Sequence, residues 1–247
     1  MLYFLPPGLE LWAALALVAL SFATSLITAT LSLGGGTLMV AVLALVFPPA
    51  IVVPVHGCIQ LGSNTGRALV LRAHIQWPLI VWISIGAVFG VAVGGVFATS
   101  LPDHLFTAAI GVFIIVTAWL PQPRVVAESR LVQVVGGGIV AALSMVVGAT
   151  GPLVATFIKG LADRRQLVAT HATLMAVQNA FKVIAFTALG FAFSAYLPLI
   201  LAMVISGFVG TALGSRLLLH VPEQVFRLAF KVILTLVALD LIRDALF

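Results

Sequence analysis

Apolar residues run along this chain in long stretches, and the polar ones gather in the short breaks between them. The runs predict helical segments at 11–33, 37–47, 50–71, 77–99, 104–120, 131–147, 151–161, 166–189, 196–218 and 224–246. Most of these match the roughly 30 Å hydrocarbon core of a bilayer. The segments at 37–47 and 151–161 do not, because eleven helical residues reach only about 17 Å. They are expected to be half-helices or re-entrant arms.

Each short segment follows a glycine-containing break, Gly34-Gly35-Gly36-Thr37 in one case and Gly148-Ala149-Thr150-Gly151-Pro152 in the other. Laying the second half on the first sets Val168-Ala169-Thr170-His171 over Val53-Pro54-Val55-His56, Asn179 over Asn64 and Lys182 over Arg67. Further on, Val209-Gly210 through Gly214 falls on Phe89-Gly90 through Gly94, and Val221-Pro222 with Phe226 on Leu101-Pro102 with Phe106, once a small insertion is allowed. Chance similarity between apolar helices explains the aliphatic matches but not the shared His, Asn and basic positions.

Lys and Arg in the breaks mark the cytoplasmic side. By that rule the breaks holding Arg67 and Arg72, Arg124 and Arg130, Arg164 and Arg165, and Arg216 and Arg227 are cytoplasmic. Those at Pro48-Pro49, Pro102-Asp103 and 191–195 contain neither residue and lie outside. The alternation closes, and an odd number of segments per half sends the second half in from the opposite face. The expected fold is an all-α polytopic membrane protein of two inverted-topology repeats, 1–122 and 123–247. Each repeat has four to five helical segments, with the short Gly-interrupted or re-entrant helices near the midplane.

Composition agrees with this. Of 247 residues, 62% are hydrophobic and 8% charged, with a mean hydropathy of +1.26, which leaves no room for a separate soluble domain. The net charge of +5 comes from basic residues scattered singly at segment ends, so it reads as orientation and headgroup anchoring and not as a nucleic-acid surface. No basic residue precedes the run at 12–33 and no small-residue cleavage pattern follows it, so it reads as a structural segment and not a signal peptide. The lone Cys58 excludes an internal disulfide and a thiolate metal site; lying about 200° around its helix from His56, it reads as a packing residue.

In inverted-repeat transporters the substrate binds where broken helices of the two halves meet. The candidate binding residues at the two breaks are therefore Gly34, Gly35, Gly36 and Thr37, and Gly148, Thr150 and Gly151. There the helix starts present N–H groups and partial positive charge, with Thr150 suited to an N-cap and Pro152 to the first helical position. The plainer explanation of the glycines is close helix packing. On the following helix, His56, Gln60, Ser63, Asn64 and Arg67 fall within an arc of about 100°. His171, Gln178, Asn179 and Lys182 occupy the same arc in the second half, with Met175 standing where Gln60 does. Snorkelling to the interface is the rival reading for Arg67 and Lys182. All seven Asp and Glu lie near breaks or termini, so basic heads without intramembrane acids favour an anion over a cation. His56 and His171 either move a coupled proton or simply hydrogen-bond in a polar interior.

These residues predict a secondary transporter for a small anion, working by alternating access as a multi-pass protein of the cell membrane. Its partners are the anion, a proton if transport is coupled, and lipid; a homodimer is compatible with the pattern and not required by it. No cofactor or nucleic acid is expected. A passive anion channel shares the basic lining. An intramembrane enzyme is disfavoured, because neither His-Glu-x-x-His nor Gly-x-Ser-x-Gly occurs and the polar groups come in matched pairs. A metal transporter built on His56 and His171 lacks carboxylate or thiolate help.

The Gly34-Gly35-Gly36 break after a leading helix, its repetition, and the loop Leu71-Arg72-Ala73-His74-Ile75-Gln76-Trp77 resemble the TauE/SafE group of sulfite exporter-like membrane proteins over nearly the whole chain. That resemblance implies transport of sulfite, thiosulfate or an organosulfonate such as sulfoacetate. The second repeat departs from the group's pattern where Ala149, Thr150 and Pro152 interrupt the glycines, which leaves the substrate open.

Overall fold

The structure, a computed structural model, describes residues 5–31, 34–121, 129–214 and 223–246. Arg124, Glu128, Arg216, Val221 and Pro222 of the sequence reading lie outside the described residues, as do the side chains of Arg164, Glu223, Phe226 and Arg227. Among the described residues the chain is helical without strands. In order the helices are α1 (Leu11–Leu31), α2 (Gly35–Val46), α3 (Pro49–Val70), α4 (Trp77–Ser100), α5 (Asp103–Trp119), α6 (Arg130–Val147), α7 (Gly151–Ile158), α8 (Arg164–Ala188), α9 (Leu197–Gly214) and α10 (Glu223–Leu246). Single 3₁₀ turns at Arg72–His74 and Phe193–Tyr196 lead into α4 and α9.

Both short helices are present and both differ from their expected bounds. Helix α2 starts two residues early, at Gly35, because Gly34 takes φ +103° and its carbonyl accepts the N–H groups of Thr37 and Leu38, which sets the first turn. Helix α7 stops at Ile158, giving about 12 Å of helix, because Lys159 and Gly160 turn the chain and Asp163 then caps α8 by accepting the Arg165 N–H at 2.8 Å. The break before α7 rests on Gly148 at φ +78°, the left-handed residue that ends α6.

Helix α4 packs along α6 and α1 along α9, while α3 packs on α8 and α5 on α10. Exchanging the two halves turns the first pair of contacts into the second and leaves the other two unchanged. The outer seams use small residues, as bilayer helices must when apolar burial gives no drive toward association. Gly86, Gly90 and Gly94 press α4 onto the α6 backbone so closely that a Cβ on Gly94 would sit 2.6 Å from the Ala142 carbonyl. Gly207, Gly210 and Gly214 do the same between α9 and α1, where Ser21 and Ser206 also donate across the seam to Met203 and Val18 carbonyls at 2.6 and 2.8 Å.

The helices Leu11–Ala29, Trp77–Ser100, Arg130–Val147 and Phe193–Gly214 are long and apolar enough to cross a membrane, and their outer faces expose large side chains such as Leu15, Phe89, Ile139 and Ile205. This is a membrane protein. Helices α3 and α8 are as long but carry the polar residues, and in lipid an unpaired polar group costs several kcal/mol. They lie inside, with His56, Asn64, His171, Asn179 and Lys182 all buried.

Candidate functional site

The polar face of α3 and the starts of both short helices converge on one cavity. Its lining includes Gly34, Gly36, Thr37, His56, Gln60, Asn64 and Arg67 from the first half, with Gly151 and His171 from the second. These are nine of the residues expected from sequence. Thr28, Ala149, Pro152 and Met175 complete it. The volume is about 40 Å³. A water needs about 10–15 Å³, so the space suits roughly three waters or one compact oxyanion.

Two histidines hold the short helices in place in the same way. His56 Nε2 lies 3.0 Å from the Gly36 carbonyl, and His171 Nε2 lies 3.0 Å from the Gly151 carbonyl, each spanning twenty residues. A carbonyl only accepts, so each ring donates from Nε2 and carries its hydrogen there. That tie fixes the first turn of α2 against α3 and that of α7 against α8. The His56 Nδ1 is buried and has no hydrogen-bond partner among the described residues.

Next to the tie, α3 carries a chain of hydrogen bonds. Arg67 donates to Asn64 Oδ1 at 3.0 Å and to Ser63 Oγ at 3.4 Å, while Asn64 Nδ2 donates to the Gln60 carbonyl at 2.7 Å and to Gln60 Oε1 at 3.2 Å. Because a guanidinium has no acceptor, Asn64 must turn its oxygen to Arg67, and this orients the rest of the chain. Acceptors are thereby used internally. Donors remain: Arg67 Nε is buried without a partner among the described residues, and Gln60 Nε2 points at Gly36, where an added Cβ would meet it at 2.8 Å.

The equivalent residues of α8 are arranged differently. Lys182 does not line the cavity; it donates to the Gly148 carbonyl at 2.6 Å and lays its stem against Gly57. Asn179 donates to the Met175 carbonyl at 2.8 Å, and its Oδ1 is buried without a partner among the described residues. Thr150 occupies the N-cap position of α7, but its hydroxyl donates to Gln178 Oε1 at 3.2 Å and does not cap the helix. Gln178 faces a separate void of about 10 Å³ beside Ser84. Gly35 is buried against Thr24 and Thr28 of α1, and Ser63 stands behind Arg67. Sequence reasoning overlooked Thr28; the readable signal was Ser21, Thr24, Ser25 and Thr28 at helical spacing in an otherwise apolar run.

Cys58 is half-buried among apolar residues, away from the cavity. Among the described residues no three of His, Cys, Asp or Glu come together as a metal site. A family model described as Sulfite exporter TauE/SafE matches residues 17–241. No curated protein and no solved structure matches the chain.

Proposed function

The chain belongs to the TauE/SafE family of sulfite exporter-type membrane transporters, and from that premise we propose that the cavity between α2, α3, α7 and α8 binds a compact sulfur oxyanion, sulfite or thiosulfate, for carriage across the cell membrane. One observation carries this reading: the α3 network uses its acceptors internally and leaves Arg67 and Gln60 donors at a cavity that also receives the start of a helix. Charge-assisted donors and a helix N-terminus together select a small anion with several oxygens.

The contact pattern supports two repeats, 1–122 and 123–247; the Lys and Arg of the breaks and the odd number of segments per half support their inverted orientation. In that arrangement the His56 and His171 ties move with their own short helices, and the cavity between them alternates its access between the two faces. Transport by this route needs no chemical step and hence no catalytic residue.

The test is binding followed by exchange. Thiosulfate and sulfite are expected to raise the melting temperature of the purified protein saturably, while sodium chloride at matched ionic strength does not. Proteoliposomes loaded with thiosulfate should then exchange it for labelled thiosulfate outside. No thermal shift and no exchange would end this reading.

A further inference from the structure

Anion binding as described leaves one buried ionisable side chain without a role. Lys182 is 1% exposed, and among the described residues its one hydrogen-bond partner is the Gly148 carbonyl. An ammonium has three hydrogens to place and a neutral amine only two. The elements packed against α8 are α3, α4, α6, α7 and the Arg72–His74 turn. Their ionisable groups are His56, Cys58 and Arg67 on α3, Arg130 on α6, and Arg72 and His74 in the turn, while α4 and α7 have none; α8 itself adds Arg164, Arg165 and His171. No acid faces Lys182 from any of them. Among the described residues a positive charge on this nitrogen therefore lacks a protein counter-charge, in surroundings where an uncompensated charge is costly.

The missing counter-charge has a natural source next door. Gly148 directly precedes Ala149, and Gly57 directly follows His56; both Ala149 and His56 line the anion cavity. We propose that the Lys182 amine is the proton-binding site of this transporter, taking up a proton from water when the anion enters the cavity and giving it back when the anion leaves. The amine lone pair bonds the proton and nothing else changes covalently. Each charge makes the other cheaper to bury, so anion and proton bind cooperatively and travel together. His56 and His171, with their Nε2 hydrogens held by carbonyls, serve as ties; either would have to take a further proton on Nδ1, and proton-driven accumulation kept by the Lys182 variants would place the carrier there. This inference rests on the anion reading above. Its rival is a permanent ammonium that only caps the end of α6, a favourable place for a cation.

Proteoliposomes held at zero membrane potential with a pH difference of one unit separate the two. Thiosulfate is the probe because it stays a dianion through the range used. Wild-type protein is expected to accumulate it about tenfold, one proton per anion. Lys182→Gln keeps a donor for the Gly148 carbonyl without a protonatable nitrogen, and Lys182→Met keeps neither. Both variants should accumulate less than about twofold, judged against their own exchange rates. Tenfold accumulation by either variant would overturn the proposal, as would wild-type exchange that ignores the gradient. Absence of wild-type exchange would instead overturn the anion reading, and this one with it. If neither variant folds, wild-type protein in weak buffer should take up about one proton per chain on thiosulfate addition, and no uptake would overturn the proposal.

Discussion

His56 and His171 make the same bond at the same distance in the two halves, whereas Arg67 and Lys182, which match as closely in sequence, do not. The histidines act within their own repeat, each holding a short helix twenty residues back, so both copies can satisfy the same geometry at once. The basic residues also bond within their own halves but to different partners, Arg67 to Ser63 and Asn64 on its own helix and Lys182 to the Gly148 carbonyl, so that Arg67 lines the cavity and Lys182 does not. The tie to a short helix is duplicated, and the setting of the basic residue is not. Met175 stands where Gln60 does, so the second half also lacks the side-chain amide that accepts from Asn64 in the first.

The sharpest way to break this comparison is to remove the one cationic head at the cavity. Arg67→Gln should weaken thiosulfate binding by about ten- to a hundredfold, the equivalent of roughly 1.5–3 kcal/mol for a lost charge-assisted bond, read by thermal shift or exchange affinity. Unchanged affinity would mean that the asymmetry has no part in binding. The duplicated ties come next. His56→Asn and His171→Asn each lose the Nε2 donor and should cut exchange about tenfold, a loss of the order of one hydrogen bond, while His56→Gln and His171→Gln restore a donor at that reach and recover most of it. A Gln variant no better than its Asn counterpart would argue against the tie. The smallest expected difference concerns the glycines of the two first turns. Gly36→Ala places a Cβ 2.8 Å from Gln60 Nε2 and should reduce affinity severalfold, whereas Gly151→Ala meets His171 at an ordinary 3.6 Å and should change it less than about twofold. Equal effects would show that the Gln60 amide is not a ligand.

Much of the fold was legible because the membrane makes local pattern decisive. Without water to satisfy backbone groups, long apolar runs must be helices, and the two runs too short to span had to be α2 and α7. The polar faces of α3 and α8 had to turn inward for the same reason. The glycine seams between α4 and α6 and between α9 and α1 were less legible, since a glycine at a seam and one at a binding site look alike until its neighbour is known. Thr150 illustrates the limit. Its type and position announce a cap, but Gln178 lies close enough to accept its hydroxyl instead.

The sequence alone set the helices, the glycine breaks and the inward polar faces, along with the placing of all seven acidic residues near breaks or termini. Each follows from residue type and spacing against a solvent that punishes unpaired polarity. Only the tertiary structure decided which basic residue lines the cavity, how large that cavity is, and where Lys182 places its nitrogen. Those outcomes depend on distances between helices remote in sequence. Arg67 and Lys182, matched in their own helices, take different partners once those helices pack.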